Sequence, residues 1–293
     1  MDDDKLISEG VKEWERRAYL KIHPAWSGWL RVLPNFLIIG AQKCGTTALY
    51  DMLAKHPQIL ESSRKEVHFF DRNFVKGKYW YRRHFPTYWE LWRRSKELKK
   101  TVVTGEATPI YLFHPLAAER VYQNLSKIKL ICILRDPVDR AYSHYQHEVR
   151  FGMEPLSFEE ALDREEERLS GEEEKLRKDP YYRPFRLAHY SYQARGFYLK
   201  QLQCWWKLFG KERILVLFNE NLRKNYLTVL NQVFKFIGVD QVGQWEKQSS
   251  NEAKYDIMPS YLKKRLAALY QPANDLLSRE LGEPVPWDYS LVL

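Results

Sequence analysis

Cysteine is scarce in this chain of 293 residues: Cys44, Cys132 and Cys204 stand singly, with no CxxC pair and no metal-ligand spacing. Three scattered cysteines argue against a disulfide framework and against a structural zinc site. Long apolar runs are missing too. The first thirty residues, MDDDKLISEGVKEWERRAYLKIHPAWSGWL, are acidic and then basic, without the hydrophobic stretch that a signal peptide or membrane anchor needs. The chain is expected to be soluble, either at work in a cytoplasm or as a domain cut from an anchored protein. No internal repeat or dominant low-complexity tract is present. Acidic residues are outnumbered, 38 against 47 Lys and Arg, for a net charge of +9 and a pI near 9.2. That excess favours an anionic partner, and nucleotide, acidic glycan, nucleic acid and membrane surface all fit it, because charge balance governs encounter rather than chemistry.

What is present is enough apolar residue, 44% of the chain, to bury one large core. We expect a leader over residues 1–33 and one domain over 34–293. Phe36–Ile39 reads as a buried strand ending at Gly40, followed by a helix over Thr46–Leu53. The run Lys129–Leu134 precedes Arg135-Asp136-Pro137 and a helix over Val138–Val149. Arg213–Phe218 precedes a polar turn at Asn219-Glu220-Asn221 and a helix over Tyr226–Ile237, and Val102–Thr104 supplies one more strand. Short, unalternating runs of Ile, Leu and Val separated by helices predict an α/β fold, a mostly parallel sheet flanked by helices, with its ligand at the carboxyl ends of the strands. The charge-dense stretch Ser157–Pro180 reads as a solvated helix or excursion. Most of the abundant Trp and Tyr rings are assigned to the core, and some to platforms for sugar rings or adenine.

Between the first strand and its helix lies Gly40-Ala41-Gln42-Lys43-Cys44-Gly45-Thr46-Thr47, where backbone N–H groups and a helix N-terminus favour an anion. It has the length of a GxxxxGK[ST] phosphate loop, but Thr46 stands at the lysine position and a lysine appears three residues earlier, at Lys43. A kinase or NTPase needs that lysine on its β- and γ-phosphates and acidic groups for magnesium, so this reading is disfavoured. The bland alternative is a tight turn with an incidental lysine.

The stretches PNFLIIGAQKCGTTALYDMLAKHPQI, KEVHFFD, GEATPIYL and LRDPVDRAYSHYQHE, taken in order over residues 34–290, resemble the PAPS-dependent sulfotransferase family, in its heparan-sulfate-like branch with bacterial relatives. The resemblance implies a phosphate-binding-loop fold and transfer of a sulfuryl group from 3′-phosphoadenosine-5′-phosphosulfate (PAPS, leaving PAP) without a metal; no residue set suggests one. A 5′-phosphosulfate has one phosphate to cradle, so the loop Cys44, Gly45, Thr46 and Thr47 can hold it and leave Lys43 to meet charge on the departing oxygen. The resemblance makes Arg135 and Ser143 the 3′-phosphate ligands, which suits an arginine fork and a hydroxyl. Arg140 is expected to pair with Asp136 or Asp139. Arg195 and Gly196, in a segment resembling the family's glycine-bearing helix start, either approach the same phosphate or serve packing.

On the acceptor side the resemblance makes Glu66 the general base, with His68 as the alternative. An extended segment would put both on one side with Phe69 inward, and neighbouring rings would raise the carboxylate pKa. The lysine of the family's GEKTP block is Ala107 here, which departs from a heparan-type acceptor contact. The cysteine pair of the animal Golgi enzymes is replaced by Asn251–Tyr255, where Lys254 and Tyr255 could cover the adenosine; loss of the bridge fits a reducing compartment, with a Golgi-type catalytic domain as the alternative. The expected acceptor is a hydroxyl or amine of a saccharide, not nucleic acid. A non-catalytic basic glycan-binding module is the rival from another class.

Overall fold

The computed structural model describes residues 25–245 and 256–290. Five strands form one sheet: β1 (Phe36–Gly40), β2 (Ile59–Glu61), β3 (Val103–Ala107), β4 (Lys129–Leu134) and β5 (Ile214–Phe218). Their order is β2-β3-β1-β4-β5 and every pairing is parallel, with Phe36 against Gly105 on one side and Leu37 against Leu130 on the other. Both faces of β1 are buried, as the uninterrupted Phe-Leu-Ile-Ile run requires of a central parallel strand. The helices are α1 (Thr46–Ala54), α2 (Gly77–Arg82), α3 (Tyr88–Leu98), α4 (Ala117–Leu125), α5 (Pro137–Arg150), α6 (Phe158–Asp163), α7 (Glu165–Leu169), α8 (Glu172–Lys178), α9 (Phe185–His189), α10 (Tyr198–Phe209), α11 (Asn219–Lys224), α12 (Tyr226–Ile237) and α13 (Ser260–Leu281). Among the described residues no helix is long and apolar enough to cross a membrane.

Local chemistry explains where the helices begin. Asp136 accepts a hydrogen bond from Val138 N at 2.9 Å and Pro137 opens α5, so the chain turns into helix directly after β4. Thr87 and Glu90 form a reciprocal capping box at the start of α3. The tail of the chain returns to the core: Tyr289 donates to Asp136 at 2.7 Å and Trp287 packs beside Phe218 and Tyr198.

The predicted α/β architecture holds, with four differences. β2 was not foreseen; it has three residues, of which only Ile59 is buried. β3 extends through Gly105-Glu106-Ala107, beyond the expected Val102–Thr104. Asn219–Asn221 is helical, because the Asn219 side chain bonds the Cys44 carbonyl instead of closing a local turn. The stretch Ser157–Pro180 folds into three short helices with acids turned inward. Glu165 accepts from Gln193 N and Ala194 N at 2.6 and 2.8 Å, and Glu172 accepts from Tyr182 Oη.

Since all strands run the same way, their carboxyl ends share one edge, and the order reverses about β1. Each end delivers one suspect segment: β1 the glycine loop, β2 the Glu66–Asp71 turn, β3 Glu106 and Thr108, β4 Arg135, and β5 Asn219.

Candidate active site

The loop after β1 is held open by two residues in left-handed backbone, Lys43 (φ 69) and Gly45 (φ 90). A side chain at position 45 could not be accommodated, since its Cβ would fall 2.3 Å from Asn219 Nδ2. No side chain caps α1, so its first-turn N–H groups face the loop without an intramolecular side-chain acceptor. Cys44 is buried, its thiol pushed up to about 11 by burial, and its carbonyl accepts from Asn219 Nδ2 at 2.9 Å. Thr46 is buried in the first turn of α1; Thr47 is exposed and accepts from Lys65 Nζ at 2.6 Å. Partial burial lowers the Lys43 pKa, the positive fields of Arg135, Arg150 and Arg140 press it further, and Glu148 partly offsets them. An anion entering this field would relieve that pressure.

Arg135 leaves β4 with its carbonyl fixed by Tyr198 Oη at 2.8 Å and its guanidinium 3.4 Å from Asp139. Ser143 lies two turns into α5 and is buried. Arg135 lies close enough to Lys43 for its charge to depress the lysine's pKa. One expectation for a neighbouring residue fails, and two others meet their packing alternative. Arg140 is wholly buried and donates to the Tyr192 carbonyl instead of pairing with Asp136 or Asp139, because α5 turns it toward the core. Arg195 is equally buried, with Nε donating to Ser191 Oγ at 2.6 Å and Nη2 to the Leu187 and Ala188 carbonyls, while Nη1 has no hydrogen-bond partner among the described residues; these bonds favour the packing alternative. Gly196 serves packing: a Cβ there would meet the Tyr270 ring at 2.5 Å. Lys254 and Tyr255 lie outside the described residues.

The acceptor-side segment is not extended. His68 takes a left-handed conformation (φ 54) and Phe69–Asn73 form one π-helical turn, which folds Asp71 back under the imidazole. Glu66 Oε2 lies 3.1 Å from His68 Nε2, and Asp71 Oδ2 lies 2.8 Å from His68 Nδ1. The imidazole is thus clamped between two carboxylates. Burial would lower the His68 pKa, yet the hydrogen bonds to Asp71 and Glu66 prevail and raise it. Burial would raise Glu66, but His68 and Lys65 prevail, so its pKa is lowered, contrary to the expectation of a raised one. Asp71, beneath the ring, falls to about 2 against its own burial through its bond to His68. Phe69 does pack inward, stacked on Tyr81 at 4.5 Å.

A carboxylate with a raised pKa lies one strand away. Glu106, fully buried at the end of β3, is pushed up to about 7 by burial, against hydrogen bonds from Thr108, Val67 and Tyr81 and the charge of His68. It accepts from Val67 N at 3.0 Å, Thr108 Oγ1 at 2.6 Å, Tyr81 Oη at 2.9 Å and Tyr111 Oη at 3.2 Å. Val67 is the residue between Glu66 and His68, so Glu106 fixes the peptide that carries both. Ala107 is fully buried, and its N–H holds the Lys65 carbonyl at 3.0 Å.

Sequence reasoning passed over Asp71, Glu106, Asn219 and Lys65. Asp71 closes the KEVHFFD stretch, and the i,i+3 spacing from His68 is its available signal. Glu106 shows as a lone carboxylate within a buried strand, and a buried acid signals a partner network. Lys65 joins the two halves, 2.6 Å from Thr47 on the loop and 3.6 Å from Glu66.

Comparison with known proteins identifies the family of the chain. The sulfotransferase domain family matches residues 33–262. A membrane-associated sulfotransferase of Dictyostelium discoideum is 28% identical over 89% of this chain and 68% of its own length. Mouse heparan sulfate glucosamine 3-O-sulfotransferase 5 is 32% identical over 71% of this chain and 54% of its own. Human bifunctional heparan sulfate N-deacetylase/N-sulfotransferase 3 is 31% identical over 87% of this chain, which spans only 31% of that protein. The crystal structure of a sulfotransferase from Alicyclobacillus acidocaldarius, 30% identical, superposes with a TM-score of 0.62 and covers 87% of this chain and 98% of that one. A family match over most of the chain and a superposable sulfotransferase structure at 30% identity establish that the protein belongs to the sulfotransferase domain family and is an enzyme of sulfuryl transfer.

Proposed function

We propose that this enzyme carries a sulfuryl group from PAPS to a hydroxyl or amine of a saccharide, with Glu66 as the base and Lys43 at the leaving oxygen. The observation that supports it best is the Lys65 bridge, which sets Thr47 of the anion loop and Glu66 of the base turn beside a single ammonium group. The nucleotide fits the donors available: the uncapped α1 N-terminus and Thr46-Thr47 would hold the 5′-phosphate, and Arg135 with Ser143 the 3′-phosphate. When bound, PAPS supplies an activated sulfuryl group and a phosphate leaving group.

The chain's own residues then have distinct tasks. Glu66, held ionised by His68 and Lys65, accepts the acceptor's proton as its oxygen or nitrogen bonds to sulfur. Lys43 offsets the negative charge gathering where the sulfur–oxygen bond breaks, and its lowered pKa leaves a proton available for that oxygen. Lys65 balances charge between the two centres. His68 and Asp71 orient Glu66, and Glu106 holds the turn that carries them. A saccharide acceptor is supported by the heparan sulfate relatives and by the basic excess of the chain.

The test is a thermal shift with adenosine 3′,5′-bisphosphate against 5′-AMP and against ATP with magnesium, on wild type and Arg135→Ala, followed by transfer of labelled sulfate from PAPS to a panel of polysaccharides. Stabilisation specific to the bisphosphate and lost in the variant is the expected result. Equal stabilisation by ATP with magnesium overturns the cofactor assignment, and label transferred only to small phenols overturns the saccharide.

A further inference from the structure

The edge of the sheet beyond β2 carries a surface that contributes none of the site residues described above. Trp29, Tyr79, Tyr88, Trp89 and Trp92 are each at least half exposed. They form one face and are not scattered. Arg82 Nη2 donates to the Trp29 carbonyl at 3.2 Å and to Tyr88 Oη at 3.1 Å, and Trp89 stacks on Trp92 with ring centroids 4.7 Å apart. On α3 the half-buried stripe is Leu91, Arg94, Ser95 and Leu98, so the helical period places Trp89, Trp92, Arg93 and Lys96 outward. Two tryptophans on the solvent stripe reverse the usual pattern, and large exposed apolar patches mark contact surfaces.

Charge is concentrated at the same place. Residues 76–100 hold nine Lys and Arg against two Glu, so most of the chain's net +9 sits in 25 residues. Both acids are occupied locally: Glu90 caps α3 through Thr87, and Glu97 lies 3.5 to 3.6 Å from Arg93 and Arg94. Lys76 sits 4.6 Å from the Trp80 ring and Lys96 6.0 Å from that of Trp92, so cations and rings are interleaved.

We infer that this face docks on an anionic lipid surface. Trp and Tyr prefer the headgroup level, where an apolar ring and a polar edge are both satisfied, and lysine and arginine stems reach past them to the phosphates. Each basic group near an anionic leaflet adds to the attraction, and the aromatic rings add apolar burial. A sugar platform fits less well, because each ring of the Trp89–Trp92 stack keeps only its outer face for a ligand and Lys96 stands 6.0 Å from the Trp92 ring, whereas the density of cations beside the rings suits phosphate headgroups. A second copy of the chain would bring like charge against like. Docking here has a consequence for orientation: α2 presents Tyr79 outward while its Tyr81 bonds Glu106, so the docked face adjoins the base turn.

The inference rests on surface composition and not on the identity of the cofactor or acceptor. Flotation of the full chain with vesicles of phosphatidylcholine alone, and of phosphatidylcholine with phosphatidylglycerol, tests it, in wild type, in Trp89→Ala/Trp92→Ala and in Arg93→Glu/Lys96→Glu. Binding to the anionic vesicles only, weakened on the order of tenfold or more by either pair, is expected, together with a blue shift of tryptophan emission in wild type. Sulfate transfer to a soluble acceptor should be unchanged in both variants, because none of the four side chains belongs to the site. Absence of vesicle binding, or binding indifferent to both pairs, overturns the inference. So does loss of heparin retention or a raised acceptor KM in the variants without an effect on vesicles, which would assign the face to saccharide, or a shift from dimer to monomer, which would assign it to a second copy.

Discussion

At the scale of single residues, the site's behaviour turns on which group takes the acceptor's proton, and the two candidates titrate in opposite directions. Glu66 is held below the ordinary carboxylate range and His68 above the ordinary imidazole range. If Glu66 is the base, it must be ionised, so activity falls only as pH drops through its lowered pKa. The acid limb of kcat/KM then lies below pH 4.5, to the extent that the fold survives there. If His68 were the base it would have to lose its proton first, and the limb would rise above pH 6.5. A pH–rate profile of transfer therefore separates them, and a limb in the upper range removes Glu66 from the role. Glu66→Gln should lower kcat by about 10²–10⁴-fold while bisphosphate affinity stays near wild type. Lys43→Ala should lower kcat by about 10²–10³-fold with a smaller effect on affinity, checked by single-turnover kinetics beside a binding titration. Near-normal turnover in Lys43→Ala would dissociate that side chain from the leaving oxygen.

At the scale of elements, the base turn depends on a strand, because Glu106 at the end of β3 accepts from Val67 N and from three hydroxyls. Its folded pKa, pushed up to about 7, exceeds the ordinary 4.5, so the folded state binds the proton more tightly than the unfolded chain does. The stability this contributes is complete below pH 4.5 and is lost as pH rises toward 7, on the order of 3 kcal/mol in all. Glu106→Gln cannot titrate. Its stability relative to wild type should be poorest near pH 5 and improve by pH 7.5, as urea denaturation at the two values would measure; a pH-independent difference would mean that the carboxylate does not titrate in this range. Elements of this kind were only partly legible. β1, β4, α1 and α5 could be read because continuous Ile, Leu and Val runs and the Asp136-Pro137 start are local signals. β2 could not, since three residues with one buried side chain give no periodicity. The Glu66–His68 segment read as extended because alternation cannot foresee a left-handed His68, which tertiary bonds from Glu106, Thr108 and Tyr111 impose on the neighbouring backbone. Arg140 misled for the same reason: its buried guanidinium meets a carbonyl that only the folded chain brings near.

At the scale of the whole molecule, a parallel sheet gathers segments far apart in sequence onto one edge, and the loop after β1 is tied to the opposite flank of the sheet. Asn219, at the end of β5, donates across to the Cys44 carbonyl, a bond spanning 175 residues of chain and two strand positions. It also sets the wall that forbids a side chain at Gly45. Removing that amide would leave a buried carbonyl without its donor, a loss of about 1–3 kcal/mol, and would free the anion loop from the flank that holds it. Asn219→Ala should therefore lower stability by that amount and weaken adenosine 3′,5′-bisphosphate binding, while the Glu66–His68–Asp71 clamp, built on β2 and β3, keeps its geometry. Calorimetric titration with the bisphosphate, read beside the pH–rate profile, checks both halves. A weakened affinity with an unmoved acid limb is the expected pair of results. An acid limb that moves together with the affinity would show that the loop and the base turn respond to β5 as one unit, with Lys65 carrying the disturbance from Thr47 to Glu66.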